Sequence, residues 1–253
     1  MSIGAKILNF ESCPSTNDLA RNLAEHGETE GLVVVAAEQT AGRGTRGRSW
    51  FSPKEKGLYL SVLFRPPSEA VSFLPLAAGL AVREALSLAC GLKAELRWPN
   101  DIIAAGRPDR KLGGILSESQ WTGTNLDFAV VGVGLNLRHK TEDFSFNLRT
   151  QAVSVQMLTG RPPDEPLLLE QLLARMDFWY GLIRRGERHD ILTEYRKRMF
   201  VPPGGKMTII HGQGRAAGRF EGLGEDGGLI LATPEGNRIF KAAEIMGVIY
   251  EKK

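Results

Sequence analysis

Nine consecutive residues, Gly42-Arg43-Gly44-Thr45-Arg46-Gly47-Arg48-Ser49-Trp50, hold three arginines and three glycines, with nothing apolar before the closing tryptophan. Glycine lets a backbone turn so that its N–H groups approach anionic oxygens, and arginine adds paired donors matched to phosphate. The chemistry such a loop can serve is the holding of a polyphosphate or an acyl phosphate. Taken alone, it is more simply read as a solvated basic segment. It is not a P-loop, because the Gly-Lys-Ser/Thr ending is missing.

Three other stretches change that balance. Arg97-Trp98-Pro99-Asn100-Asp101 is an ordinary turn signal, or else it sets Asn100 and Asp101 at a strand end beside a nucleotide, with a metal between. In Lys111-Leu112-Gly113-Gly114-Ile115-Leu116-Ser117-Glu118, alternation places Lys111, Gly113 and Ile115 on one strand face. Glycine within a strand marks close approach by a ligand, while the plainer reading of Lys111 is a surface lysine at a strand start. In Val130-Val131-Gly132-Val133-Gly134-Leu135-Asn136-Leu137 the glycines thin a strand. Asn136 there can offer a donor and an acceptor to a base edge, or sit satisfied in a bulged core strand.

The elements that must position these residues are legible by period. Residues 5–10, 32–37 and 58–65 read as strands, a helix is expected from Thr16, and 74–90 has the apolar stripe of a buried helix. Residues 96–103 read as strand, proline break, strand, with a turn at 105–109. Residues 111–119 and 126–137 are expected to pair antiparallel across the polar 121–125. Helix is expected over 151–158 and from Pro166 to about Met199. Composition shifts at Val201-Pro202-Pro203-Gly204-Gly205, so a boundary is placed there: a main domain over 1–201 and a small one over 202–253. Short strands at 206–211, 216–223, 229–232 and 238–242 make the second domain a small β-barrel.

Composition excludes several classes. The two cysteines, Cys13 and Cys90, and four histidines argue against a disulfide framework and against a cysteine-zinc site. Net charge of +3 does not suit a general nucleic-acid binder. No stretch reads as a membrane helix or secretory signal, so a cytoplasmic location is expected.

Ser15-Thr16-Asn17, Gln39-Thr40-Ala41-Gly42-Arg43-Gly44, Trp98-Pro99-Asn100-Asp101, Lys111-Leu112-Gly113-Gly114-Ile115-Leu116 and Gly132-Val133-Gly134-Leu135-Asn136, in this order, resemble the biotin protein ligases, over nearly the whole chain. The resemblance implies an α+β fold. Its catalytic domain is a mixed, largely antiparallel sheet packed with helices, like that of class II aminoacyl-tRNA synthetases, followed by a C-terminal SH3-like barrel. It implies an enzyme that joins biotin to ATP as biotinyl-5′-AMP and passes biotin to a lysine of a biotin carboxyl carrier protein, a domain of acetyl-CoA carboxylase or a related carboxylase. Ser15, Thr16, Asn17 and Gln39 would meet the ureido ring. Arg43, Gly44, Thr45 and Lys111 would meet the tail and the activated intermediate, with Lys111 and Arg43 catalytic. Arg46, Arg48, Trp50, Asn100 and Asn136 would lie on the nucleotide side, with Trp50 either a packing anchor or plain core.

Charge supports that assignment. A carboxylate must attack an anionic phosphate, and Arg43, Arg46, Arg48 and Lys111 can neutralise the charge in that step. Mg2+, held mainly by phosphates and by a carboxylate such as Asp101, would complete the screening. One departure stands out: the family commonly has a further arginine where this chain has Thr45, which implies weaker retention of biotinyl-AMP unless Arg46 shifts to substitute. The competing readings are a lipoate ligase, a biotin-binding protein without catalysis, and a DNA-binding repressor. The last is disfavoured because Ser15 lies so near the start, so no DNA partner is expected. An exposed sheet edge would allow a homodimer.

Overall fold

A computed structural model describes residues 2–251. Its first sheet has seven strands: β1 (Lys6–Phe10), β2 (Leu32–Ala36), β3 (Gly57–Phe64), β4 (Ala94–Arg97), β5 (Asp101–Ala104), β6 (Arg107–Thr122) and β7 (Asn125–Asn136). The spatial order is β1-β2-β3-β7-β6-β5-β4. Only β1 and β2 run parallel, joined by helix α1 (Thr16–Glu25); every other neighbour is antiparallel. The expected mixed, largely antiparallel α+β sheet is what forms.

Both faces of this sheet are covered, which explains why β3, Gly-Leu-Tyr-Leu-Ser-Val-Leu-Phe, is buried throughout and carries no polar alternation. On one face α1 packs Ala20 and Ala24 against Val34, Leu63 and Val130. On the other lie α2 (Leu74–Cys90) and α4 (Glu165–Arg184), whose apolar residues merge with the sheet into the main core. Ser68–Cys90 is in fact long and apolar enough by composition to cross a membrane, contrary to the sequence reading; most of it is buried against α4 and the sheet. Gly91, at φ 63°, ends α2 in the left-handed conformation that glycine tolerates.

Several boundaries differ from expectation. The helix expected over 151–158 is only α3 (Val155–Thr159), because Ser154 accepts from the Met157 N–H and caps it late. The long helix expected to Met199 breaks at Gly186, φ 78°, into α4 and α5 (Arg188–Arg198). Residues 107–109, expected in a turn, already belong to β6.

The second sheet holds β8 (Lys206–His211), β9 (Gly214–Leu223), β10 (Leu229–Thr233), β11 (Gly236–Phe240) and β12 (Ile245–Tyr250), all antiparallel in the order β11-β10-β9-β8-β12. Strand β12 has no counterpart among the strands expected from the sequence. The second sheet's apolar residues Met207, Phe220, Leu231 and Ile245 join the same core as α2 and the first sheet. Trp98 Nε1 donates to Gly227 O at 3.2 Å, Tyr250 Oη donates to Trp98 O at 3.0 Å, and Ser72 Oγ donates to Asp226 O at 2.9 Å, so polar ties cross this junction as well.

Candidate active site

Ser15, Thr16 and Asn17 are all buried at the N-terminal end of α1. Ser15 occupies the N-cap position without making a capping bond, so its hydroxyl is not committed to the helix. Asn17 Nδ2 donates to Glu118 Oε2 at 2.7 Å and to Leu116 O at 3.3 Å, which turns Oδ1 toward Ser61 Oγ, 2.6 Å away. Because Oδ1 only accepts, Ser61 gives it its single proton, and Thr16 Oγ1, 2.8 Å from Ser61 Oγ and 3.1 Å from Gln39 Oε1, can give its own proton to either. Gln39 Oε1 then keeps the Thr16 backbone N–H at 2.9 Å. Gln39 Nε2 donates to Ser52 Oγ at 2.9 Å, and Ser52 Oγ donates to Trp50 O at 3.1 Å. The polar wall is thus a connected network in which Ser61 is committed to Asn17 and the Thr16 proton has two acceptors.

That network anchors both ends of the Gly42–Trp50 loop. At its start, Arg43 donates through both terminal nitrogens to Glu118 at 2.9 Å, and it pairs with Asp18 at 2.5 Å. Burial alone would lower the Arg43 guanidinium; Glu118 and Asp18 outweigh it and raise it further. The loop itself closes as a hairpin, with Trp50 N donating to Gly42 O at 2.8 Å and Gly44 N to Arg48 O at 2.7 Å. A Cβ on Gly42 would lie 2.6 Å from Trp50 O, so only glycine fits that crossing.

The strand glycines have equally concrete neighbours. A Cβ on Gly132 would fall 2.2 Å from Asn17 Oδ1, and one on Gly134 would fall 2.4 Å from Trp50 Nε1. Gly114 pairs with Gly134 across β6 and β7, and Lys111 Nζ lies 3.3 Å from where its Cβ would be. Lys111 therefore does not share a face with Gly113 and Ile115. The register of β5 on β6 shifts at Leu112, an inserted residue that turns Lys111 to the Gly114 side, while Gly113 faces Leu135. Lys111 Nζ stands 5.2 Å from the Trp50 ring centre and 2.6 Å from Asp101 Oδ1.

Two cavities meet here. The narrow one is lined by Ser15, Thr16, Asn17, Gln39, Arg43 and Asn100. The wider one, about 330 Å³, is lined by Arg48, Phe51, Asp101, Asn136, Phe144 and Gln151 among others. Gly44, Thr45, Trp50 and Lys111 line both and form the neck between them. Beneath the wider cavity His139 stacks on Phe144, ring centres 4.9 Å apart, with Phe51 tilted against it at 5.8 Å. Burial, opposed in part by Asp143, pushes the His139 imidazole down to about 4, so it is neutral at pH 7.

Not every expected residue lies where the sequence put it. Arg46 lines neither cavity; its Nε donates to Ile245 O of β12 at 2.9 Å. In this arrangement its guanidinium is engaged at β12 and not beside Thr45. Asn100, expected beside a nucleotide, lines the narrow cavity and not the wider one, with Nδ2 on Ile115 O at 3.3 Å. Asn136 does reach the wider cavity, but Nδ2 serves Lys111 O and Val153 O, leaving only its oxygen for a guest. Asp101 lines it too, yet both its oxygens are engaged, Oδ1 by Lys111 and Oδ2 by Arg97 at 2.7 and 3.0 Å. Burial would raise that carboxyl; Lys111 and Arg97 prevail and hold it below the usual carboxylate range. Sequence reasoning missed Ser52, Asp18, Glu118 as an arginine partner, and Ser61. The last had a signal: it is the single aliphatic hydroxyl in a wholly buried strand of eight residues.

The model of the Biotin/lipoate A/B protein ligase family matches residues 9–136, the span holding every residue of the neck. A biotin--[acetyl-CoA-carboxylase] ligase of Paracoccus denitrificans is 35% identical over 236 residues, covering 91% of this chain and 96% of that protein. The bifunctional ligase/repressor BirA of Bacillus spizizenii is 28% identical over 96% of this chain and 74% of its own length. Among solved structures, the biotin protein ligase from Aquifex aeolicus in complex with biotin and ATP superposes with a TM-score of 0.82 at 26% identity, covering 98% of this chain and all of the other. With half the chain matched by the family model and a relative matched along nearly its whole length, this chain belongs to the biotin/lipoate A/B protein ligase family.

Proposed function

We propose that the chain is an ATP-dependent biotin protein ligase, with biotin in the narrow cavity and ATP in the wider one. The observation that carries this reading is the neck. A carboxylate on a chain entering from the Ser15–Asn17 side and a phosphate entering from the Asp101–Asn136 side would come together beside Lys111. A biotin carboxylate oxygen attacks the α-phosphorus, the bond to pyrophosphate breaks, and biotinyl-AMP forms. A carrier lysine amine then attacks the acyl carbon, and AMP leaves with the bonding pair. Both steps concentrate negative charge at the neck, where a fixed cation acts without reorganising solvent.

Lys111 supplies that cation by exchanging Asp101 for substrate oxygen, and Asp101 retains its two bonds from Arg97 meanwhile. Arg43 contributes differently: clamped by Glu118 and Asp18, it sets the position of the loop backbone at Gly44. Among the described residues no group of three or more His, Cys, Asp or Glu side chains could hold a metal, so we treat magnesium as arriving on the nucleotide's phosphates. The hydrogen-bonded Thr16–Ser61–Asn17 network favours a guest with both donors and an acceptor at its head. That suits a ureido ring and not the dithiolane of lipoate.

The carrier of a biotin-dependent carboxylase is the acceptor we assign, following the activity named for the Paracoccus relative. Incubation with ATP, magnesium and either biotin or lipoate, read as pyrophosphate release, tests the reading. Release with biotin and none with lipoate supports it; release with lipoate alone, or with neither, overturns it.

A further inference from the structure

Of the three arginines in the Gly42–Trp50 hairpin, Arg43 lines the narrow cavity and Arg48 the wider one, while Arg46 lines neither. Its guanidinium reaches instead across 199 residues of sequence to the carbonyl of Ile245, 2.9 Å away. That carbonyl stands at an irregularity. Strand β12 pairs Ile245 with His211 and Gly247 with Ile210, so Met246 is an extra residue in the ladder. Such a bulge leaves its strand locally unpaired and re-aims the groups beside it. The strand that carries it is fixed to the first sheet through Tyr250 on Trp98 O, and Ile245 itself is buried in the shared core. The acceptor is therefore part of a rigid body.

The donor side is held at a cost. Arg46 has φ 61° and ψ 39°, the left-handed region that residues other than glycine avoid, in a segment where glycine stands immediately after it. Burial and the nearby Arg48 also push its guanidinium below the ordinary value. A charge-assisted bond to a fixed carbonyl is what offsets both.

We propose that Arg46 is a positioning residue that latches the Gly42–Trp50 hairpin to the second sheet, so that this sheet sets how readily the hairpin opens. On the function assigned above, the latch governs how long the acyl-adenylate stays at the neck. The shared core is what lets the latch hold: a domain swinging on a linker could not fix a loop.

The test uses the full-length chain carrying Arg46→Ala, Arg46→Gly or Arg46→Lys. A broad-specificity protease, applied without ligands, reads hairpin opening as the rate of cleavage between residues 42 and 50. Loss of one charged hydrogen bond predicts cleavage faster by on the order of ten-fold in Arg46→Ala. Arg46→Gly, which relieves the backbone but also lacks the latch, stays fast, and Arg46→Lys, which keeps a cationic donor, falls between Ala and wild type. Release of preformed biotinyl-AMP follows the same order. Wild-type cleavage in Arg46→Ala overturns the latch. So does unchanged cleavage with a raised KM for ATP, which would make Arg46 a phosphate ligand. Because cleavage is read without ligands, the latch is judged even where biotin fails as a substrate; that failure would count against the functional assignment alone.

Discussion

The two cavities on either side of Lys111 are built on different principles. The narrow one has a polar wall of neutral groups, Ser15, Thr16, Asn17 and Gln39, tied together from behind by Ser61, with charge confined to Arg43 and to Lys111 at the neck. The wider one is walled by charge and aromatic rings, and its central ions already have partners, Lys111 on Asp101 and Asp101 on Arg97. A hydrogen-bonded neutral wall selects a guest by the pattern of its donors and acceptors. A wall of exchangeable ion pairs accepts a highly charged guest by trading one partner for another. On the function proposed, the difference assigns recognition to the first cavity and charge handling to the second, with the neck residues answering to both.

The variant expected to do most damage strikes the neck. Gly134→Ala would set a methyl 2.4 Å from Trp50 Nε1 and 2.6 Å from Cε2, so the indole must leave its place between the cavities. Displacement on that scale is expected to cost pyrophosphate release about 100-fold. Activity near wild type would mean Trp50 is not part of the machinery.

Ser61→Ala sharpens the contrast between the cavities. It removes the one donor to Asn17 Oδ1 among the described residues and leaves that buried oxygen unsatisfied, a cost of about 1–3 kcal/mol. Biotin binding should weaken by roughly 10- to 100-fold while the KM for ATP stays put. If the ATP constant moves instead, the two cavities have been assigned the wrong way round.

A smaller change is expected at Thr45, which lines both cavities and has no guanidinium to offer the intermediate. Thr45→Arg should slow dissociation of biotinyl-AMP by about ten-fold, through one added charge-assisted bond. No slowing would remove the significance attached to this position.

The smallest effect at neutral pH concerns His139, beneath the wider cavity. Its folded value of about 4 lies below the ordinary 6.5, so folding favours the neutral ring and the unfolded chain binds the extra proton. Stability is therefore full above about pH 6.5 and is lost as pH falls toward 4, by on the order of 2–3 kcal/mol. His139→Phe keeps a ring against Phe144 but has no proton to take up, so Tm should fall less steeply over that window. An unchanged slope would show that other groups carry the acid sensitivity.

Much of this was legible in the sequence because it is local. Glycines at 42, 132 and 134 each have a named neighbour that a Cβ would strike, whereas one on Gly44 would meet Arg48 O at ordinary contact distance. Helix α2 ran from Leu74 to Cys90 as its apolar stripe implied. What escaped is non-local or depends on register. Strict alternation put Lys111 beside Gly113, but one inserted residue at Leu112 reverses the face, and no period reveals a bulge. Arg46 looked like its neighbours in a basic loop; its acceptor lies in β12, a strand whose Ile-Met-Gly-Val-Ile-Tyr gives no alternating signal. Asn136 reads as a polar group on offer, and only the contacts show its amide hydrogens engaged by two carbonyls.

The central claim is that Lys111 is the cation at which two anionic substrates meet, and Lys111→Ala tests it most directly. Arg97 still holds Asp101 in that variant, so the fold should persist, as thermal unfolding would verify. Biotinyl-AMP formation measured on the folded variant with ATP, magnesium and biotin should fall by about 1,000-fold. A folded variant that makes biotinyl-AMP at close to the wild-type rate would contradict the account.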